Sequence, residues 1–341
     1  MALSGFRGLG PAALAFALAA CSAGTSASSK PSPTPTPSPP GPAMVQVENS
    51  PDARPLSGLQ QADLVFEYLT EGGITRMTAL YFHPSGTQKI EPIRSARLIT
   101  LRLQKAYQGL VFYSGASDHV QALIGHNHVP AVREGSDGGA YFVRDARRAA
   151  PHNLFSTPDR LARGQQRHAP RINYSLNLPL PGQPSPGLSA STSASPSGSP
   201  AAAAGKVIFQ QTPLHRVTYT YSASDGAYAY SFTDSGWGSG PLRDTDTGAA
   251  IKVVNVILIQ VAHRGMGYTE DVLGEQGIDF ELQGTGPADV FSRGQHVSAT
   301  WDLSDQSRPL RILGQNGKPL SLPRGLTWIH LVDPGTRLSI S

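Results

Sequence analysis

The chain has 341 residues, a formal charge of +4, 15% charged residues and one cysteine. That mild balance excludes the concentrated basic stripe of a nucleic-acid binder, and a lone thiol excludes an internal disulfide, a zinc-thiolate cluster and a dithiol redox couple. Downstream of Cys21, no run approaches the roughly eighteen consecutive apolar residues of a membrane-spanning helix.

Residues 1–21 carry Arg7, then a short apolar stretch that ends in Leu18-Ala19-Ala20-Cys21. A basic start, a brief hydrophobic segment and small residues before the cut read as a secretory signal. A cysteine directly after those small residues resembles the bacterial lipobox, whose thiol is acylated and becomes the mature N-terminus. This predicts an extracytoplasmic protein held to the bacterial cell membrane by lipid on Cys21, and two acyl chains suffice for stable attachment. Residues 22–43 contain Pro-Ser-Pro-Thr-Pro-Thr-Pro-Ser-Pro-Pro, a composition that favours extended polyproline geometry. Such a spacer reaches about 3.1 Å per residue.

Residues 44–180 alternate strand-like and helix-like patterns and predict an α/β or α+β domain. Strands are expected at 62–69 and 75–83, joined through Glu71-Gly72-Gly73. Ser95 is a candidate cap for a helix reaching Tyr107. Residues 110–113 read as a buried strand that gives way to Ser114-Gly115-Ala116-Ser117 and a helix through Ile124. Thr157-Pro158 starts another helix. Residues 181–205 are Ser, Ala, Pro and Gly without charge, either a link between domains or a loop insertion. As a linker, this tract predicts two fragments with separate cores after proteolysis. Residues 206–341 read as all-β, a small sandwich or barrel. They begin with a hairpin at 216–221 and 227–232, and short strand runs recur at 251–261, 278–282, 297–301, 310–313 and 326–332.

Two chemistries compete for the polar residues. Arg94, Ser95 and Arg97 stand where a strand passes into a helix N-terminus, where free N–H groups and the dipole favour an anion. Arg76, Arg144, His152 and Asn153 complete a candidate ligand-binding set, since guanidinium forks suit phosphates and carboxylates. The same arginines can instead pin loops by pairing with Asp52, Asp63, Glu67, Glu71 and Asp145. For catalysis, Glu67, Glu71, Asp145 and His152 are the candidate acid/base groups. Ser114 and Ser117 lack the glycine pattern of a nucleophile elbow and read as helix caps. His126-Asn127-His128 reads as a solvated loop, with neither metal nor cofactor expected, because two ligands do not make a site. Asp244, Asp246 and Thr247-Gly248 read as a turn. Trp237, Trp301 and Trp328 are expected to be core residues.

Several long motifs run in order: residues 47–76 with Glu67-Tyr68-Leu69-Thr70-Glu71-Gly72-Gly73, Glu91-Pro92-Ile93-Arg94-Ser95-Ala96-Arg97, Phe142-Val143-Arg144-Asp145, Pro151-His152-Asn153-Leu154, residues 244–255, and Thr327-Trp328-Ile329. On these the chain resembles the YerB-like lipoproteins, a two-domain bacterial family of unknown function. The resemblance implies a lipid-anchored envelope protein and supplies no catalytic residues. The expected function is binding of an anionic envelope component or a protein partner without catalysis. The alternative is an exported enzyme acting on cell-wall or lipid-linked phosphate or glycan substrates.

Overall fold

The computed structural model describes residues 38–137, 139–176 and 201–341. The lipobox, most of the spacer and most of the 181–205 tract lie outside them. The N-terminal half supplies β1 (Ala43–Glu48), β2 (Leu64–Leu69), β3 (Thr75–Tyr81), α1 (Leu98–Tyr107), β4 (Leu110–Tyr113), α2 (Asp118–His126), β5 (Ala131–Arg133), β6 (Val143–Arg144), β7 (Leu154–Phe155) and α3 (Pro158–His168). The C-terminal half is built of strands, with no α-helix among its described residues. First come β8 (Ala202–Ala203), β9 (Lys206–Gln210), β10 (His215–Ser222), β11 (Ala227–Asp234), β12 (Gly238–Pro241), β13 (Lys252–Val253) and β14 (Asn255–Gln260). Then follow β15 (His263–Thr269), β16 (Gln276–Phe280), β17 (Gly284–Ser292), β18 (Gln295–Leu303), β19 (Arg311–Leu313), β20 (Thr327–Val332) and β21 (Leu338–Ile340).

One large sheet runs β19-β18-β17-β14-β20-β2-β3-β1-β4-β5. Strand β2 of the first half lies parallel to β20 of the second, with Val65 opposite Trp328 and Glu67 opposite His330. Both faces of this seam are covered, so Val65 and Phe66 are equally buried, as expected of a strand read as a continuous apolar run. On one face α1 and α2 bring Ile99, Leu103, Val120 and Ile124 against Phe66, Ile257 and Ile329. On the other, α3 and the sheet β12-β11-β10-β9-β21 bring Leu161, Phe209, Tyr219 and Tyr230 against Val65, Phe112 and Trp328. Helix α3 sits close because position 164 is glycine; a Cβ there would lie 2.6 Å from the Phe112 ring.

The mixed first half and all-β second half match the sequence reading, but the prediction of separate cores fails. Both apolar clusters draw on both halves, and residues 38–341 form one compact unit. The second half does not close into its own sandwich or barrel, because β14, β17, β18, β19 and β20 extend the first half's sheet. The Gly72-Gly73 turn is as expected, with φ of 70° and 72°, a region glycine enters without steric cost. Ser95 does not cap α1. Arg97 holds the cap position, and its N–H donates to Thr100 Oγ1 at 3.0 Å.

Candidate functional site

Strands β1, β4 and β5 are mutually parallel, and their carboxyl ends gather the polar residues of the first half. The crevice beyond such ends is the usual ligand position in open α/β sheets. Arg94 N donates to Gln46 O at 2.8 Å, Ser114 N to Arg94 O at 3.1 Å and Ala96 N to Gly115 O at 2.8 Å. The segment 94–97 is thereby laid between the ends of β1 and β4, and it brings the starts of α1 and α2 together.

Glu48, the last residue of β1, is the hub. Its Oε1 accepts from Ser50 Oγ at 3.0 Å and its Oε2 bonds His152 Nδ1 at 2.8 Å. Arg94 Nε lies 3.2 Å from the same Oε2. The Arg94 side chain is 24% exposed, and its terminal nitrogens have no hydrogen-bond partner among the described residues. Beside it, Ile93 N donates to Leu154 O at 2.8 Å, which brings the β6–β7 pair alongside. There Arg144 forks onto Glu134 through Nε and Nη2, both at 2.8 Å, and donates to Asn153 Oδ1 at 2.7 Å.

Arg97 and Arg76 turn inward instead. Arg97 Nε donates to Glu71 Oε2 at 2.8 Å, Nη2 bonds Glu71 Oε1, and Nε lies 3.4 Å from Glu270 Oε1. Arg76 Nη1 donates to Ser95 O at 3.1 Å, and Nη2 lies 3.9 Å from Glu71. Burial would raise the Glu71 carboxyl, but Arg97 and Arg76 hold it down at about 2. Burial, with Arg97 nearby, pushes Arg76 down to about 10. Burial likewise raises Glu270 against the pull of Arg97. These two arginines are buried loop pins, so of the candidate ligand set Arg94, Ser95, Arg144 and His152 are the ones that reach the surface.

The acid/base candidates do not converge. Asp145 is held below the usual carboxylate range by hydrogen bonds from Arg147 and Lys89. His152 belongs to Glu48 and Glu71 to Arg97. Glu67 is fully buried at the seam between the halves. Its Oε1 accepts from Asn49 at 3.0 Å and Thr75 at 2.8 Å, and its Oε2 from Trp328 Nε1 at 2.9 Å and Tyr230 OH at 3.2 Å.

This seam holds a charged chain that sequence reasoning missed. His215 Nε2 lies 3.5 Å from Glu67 and His215 Nδ1 bonds Asp234, which in turn pairs with Arg54. Burial opposes charge on His215, yet Asp234 and Glu67 raise its pKa. Burial opposes charge on Glu67 too, yet His215 and His330 keep it at about 2. Charges therefore alternate from Glu67 through His215 and Asp234 to Arg54. His215 Nδ1 is bonded to Asp234 and Nε2 to Tyr230 OH at 3.0 Å, so both ring nitrogens are committed to neighbours within the fold. His330 is pushed down to about 4 by burial and stays neutral, bonded to Gln211 at 2.9 Å and Tyr219 at 2.9 Å. The available signal was Glu67 itself, a charge inside the apolar run Leu64–Leu69.

Two family models match the chain: the N-terminal domain of a protein of unknown function (DUF3048) over residues 30–171, and the C-terminal domain of the same family over residues 207–329. The chain belongs to this family. It is 25% identical over 298 residues to a Bacillus subtilis protein named "Putative lipoprotein YerB", covering 87% of this chain and 82% of the relative. It also resembles the crystal structure of the B. subtilis YerB protein, with a TM-score of 0.64 and 21% identity over 88% of this chain and 94% of that one. The two family models fall one on each half of the chain, and the likeness in fold covers 88% of it.

The remaining candidates have local roles. Ser117 Oγ accepts from Val120 N at 3.4 Å as the cap of α2, and His119 stacks on Tyr268 with ring centres 4.1 Å apart. His126 and His128 are exposed around the end of α2, and no cluster of three or more potential metal ligands occurs among the described residues. Asp244 closes its own turn through the N–H groups of Asp246 and Thr247 and accepts from Gly58 N at 2.8 Å.

Proposed function

We propose that this family member is a lipid-anchored, extracytoplasmic binding protein. Cys21 carries the acyl anchor, and the proline-rich segment spaces the body from the bilayer. The body takes an anionic envelope ligand at the carboxyl ends of β1, β4 and β5, without catalysis. The observation that carries this reading is the division of labour among the arginines. Arg97 and Arg76 are consumed by Glu71, while the terminal nitrogens of the partly exposed Arg94 have no hydrogen-bond partner among the described residues. A partly exposed guanidinium fork on the segment that leads into α1 favours phosphate or carboxylate. A hydrolytic or transfer reaction would need an available base facing that surface. Glu48, Glu71 and Asp145 are each paired with cations, and Glu67 is sealed. The lipoprotein name of the B. subtilis relative supports the anchor.

The test is calorimetric titration of the purified chain with inorganic pyrophosphate. Arg94→Ala should weaken binding at least tenfold, and Arg94→Lys should restore only part of it, because a point charge does not reproduce the fork. Wild-type protein that takes up no pyrophosphate, or an Arg94→Ala variant that binds equally well, would sink the proposal.

A further inference from the structure

Trp301 and Trp328 are buried as the sequence reading expected, but Trp237 is 61% exposed. It sits in the turn between β11 and β12, where Gly236 and Gly238 adopt φ of 79° and 106° and Trp237 N donates to Asp234 O at 3.1 Å. Leu214, 38% exposed, stands beside it, and its carbonyl accepts from Ser235 N at 2.8 Å. At the foot of this pair is a cavity of about 20 Å³ lined by Asn49, Arg54, Thr75, His215 and Asp234. That volume holds one water-sized group.

The polar side chains around this cavity are fixed but not exhausted. A guanidinium has five N–H donors. Arg54 spends three of them, on Asn49 Oδ1 at 2.9 Å, on Asn49 O at 2.7 Å and on Asp234. Each Asp234 oxygen accepts one bond, from His215 or from Arg54, which leaves acceptor capacity on both. Arg54 also lies 3.9 Å over the Phe232 ring, and the alternating charges beneath it hold the constellation in place. The cavity thus offers spare donors and spare acceptors side by side.

We propose that this corner is a saccharide subsite: a sugar ring lies on Trp237 and one of its hydroxyls enters the cavity, donating to Asp234 and accepting from Arg54. A hydroxyl is the small group that donates and accepts at a single atom. A carboxylate or phosphate there would meet Asp234, an ammonium would meet Arg54, and an apolar group would leave both unsatisfied. The electron-rich indole face suits the C–H edges of a sugar ring. This site is separate from the Arg94 surface and does not depend on it.

Titration of the full chain with two neutral probes, the tetramer of N-acetylglucosamine and maltotetraose, tests the subsite. At least one should change the tryptophan fluorescence saturably, because Trp237 is the exposed indole. Trp237→Ala should weaken that binding at least tenfold by calorimetry with an unchanged melting temperature. The proposal is overturned if neither saccharide binds at millimolar concentration, or if Trp237→Ala binds as well as wild type. It is also overturned if inorganic phosphate, and not sugar, perturbs Trp237.

Discussion

Removing the Arg97 side chain strands two carboxylates at once. Glu71 loses the fork that holds it at about 2 and keeps only Arg76 at 3.9 Å. Glu270, whose side chain is fully buried, loses its cation at 3.4 Å. Breaking a buried pair from one side costs about 3–5 kcal/mol, since the remaining charge must be neutralised or rehydrated. Arg94→Ala is a different perturbation, because its guanidinium is partly exposed and Glu48 retains Ser50 and His152. Solvent screening brings that loss down to about 1 kcal/mol or less. At about 2.1 cal/mol/K per residue, each kcal/mol moves the melting temperature of a unit of about 300 residues by roughly 1.5–2 °C. Arg97→Ala should therefore melt about 5–8 °C below wild type and Arg94→Ala within about 2 °C, as read by near-UV circular dichroism with urea midpoints as a second measure. Equal losses for the two variants, or an Arg97→Ala midpoint at the wild-type value, would refute the assignment of one arginine to the scaffold and the other to the surface.

Three further expectations follow from the same geometry. Acid should destabilise the fold between about pH 5 and 2: Glu67 and Glu71 have folded pKa values near 2, so the unfolded chain binds more protons as the pH falls. His330, neutral in the fold down to about 4, adds loss of the same sign from pH 6.5 downward, while Asp63, raised to about 6 by burial, opposes it between pH 4 and 6. Urea midpoints that stay flat from pH 5 to 2.5 would contradict this account. Proteolytic cleavage within residues 177–200 should leave the halves co-eluting in gel filtration, since β2 and β20 share a ladder, and elution as two folded fragments would argue against the fused sheet. Cys21→Ser should prevent acylation and leave precursor-sized, unprocessed protein; a mature-sized species in the detergent phase of a partition would count against the lipobox.

Local pattern carried much of the fold. The β2–β3 hairpin was legible because Gly72 and Gly73 supply the turn, and β10–β11 because tyrosines alternate with small residues around Gly226. Strand β17 was missed because Gly284-Thr285-Gly286-Pro287 opposes strand propensity. Pro287 is tolerated because the pairing with β14 begins only at Ala288, so its missing N–H disrupts no bond on that side. The seam was out of reach of local reading: the Trp328–Glu67 hydrogen bond joins residues 261 apart. The same limit applies to the site. Motif position groups Arg76, Arg94, Ser95, Arg97, Arg144, His152 and Asn153 as one candidate set and does not separate those that turn inward from those at the surface. Arg97 points inward onto Glu71, a pairing open to sequence reading, and gains Glu270 of the C-terminal half at 3.4 Å, whereas the ladder from Glu67 to Arg54 depends on His215 and Asp234 across the seam.

The central claim is that Arg94, and not the arginines behind it, receives the ligand. Crystals of the protein soaked in pyrophosphate address it most directly. The account predicts anion density within hydrogen-bond distance of Arg94 Nη1 and Nη2, facing the starts of α1 and α2, with the Arg97–Glu71 pair undisturbed. Density against Arg97 with Glu71 displaced, or none at Arg94 under saturating ligand, would contradict it.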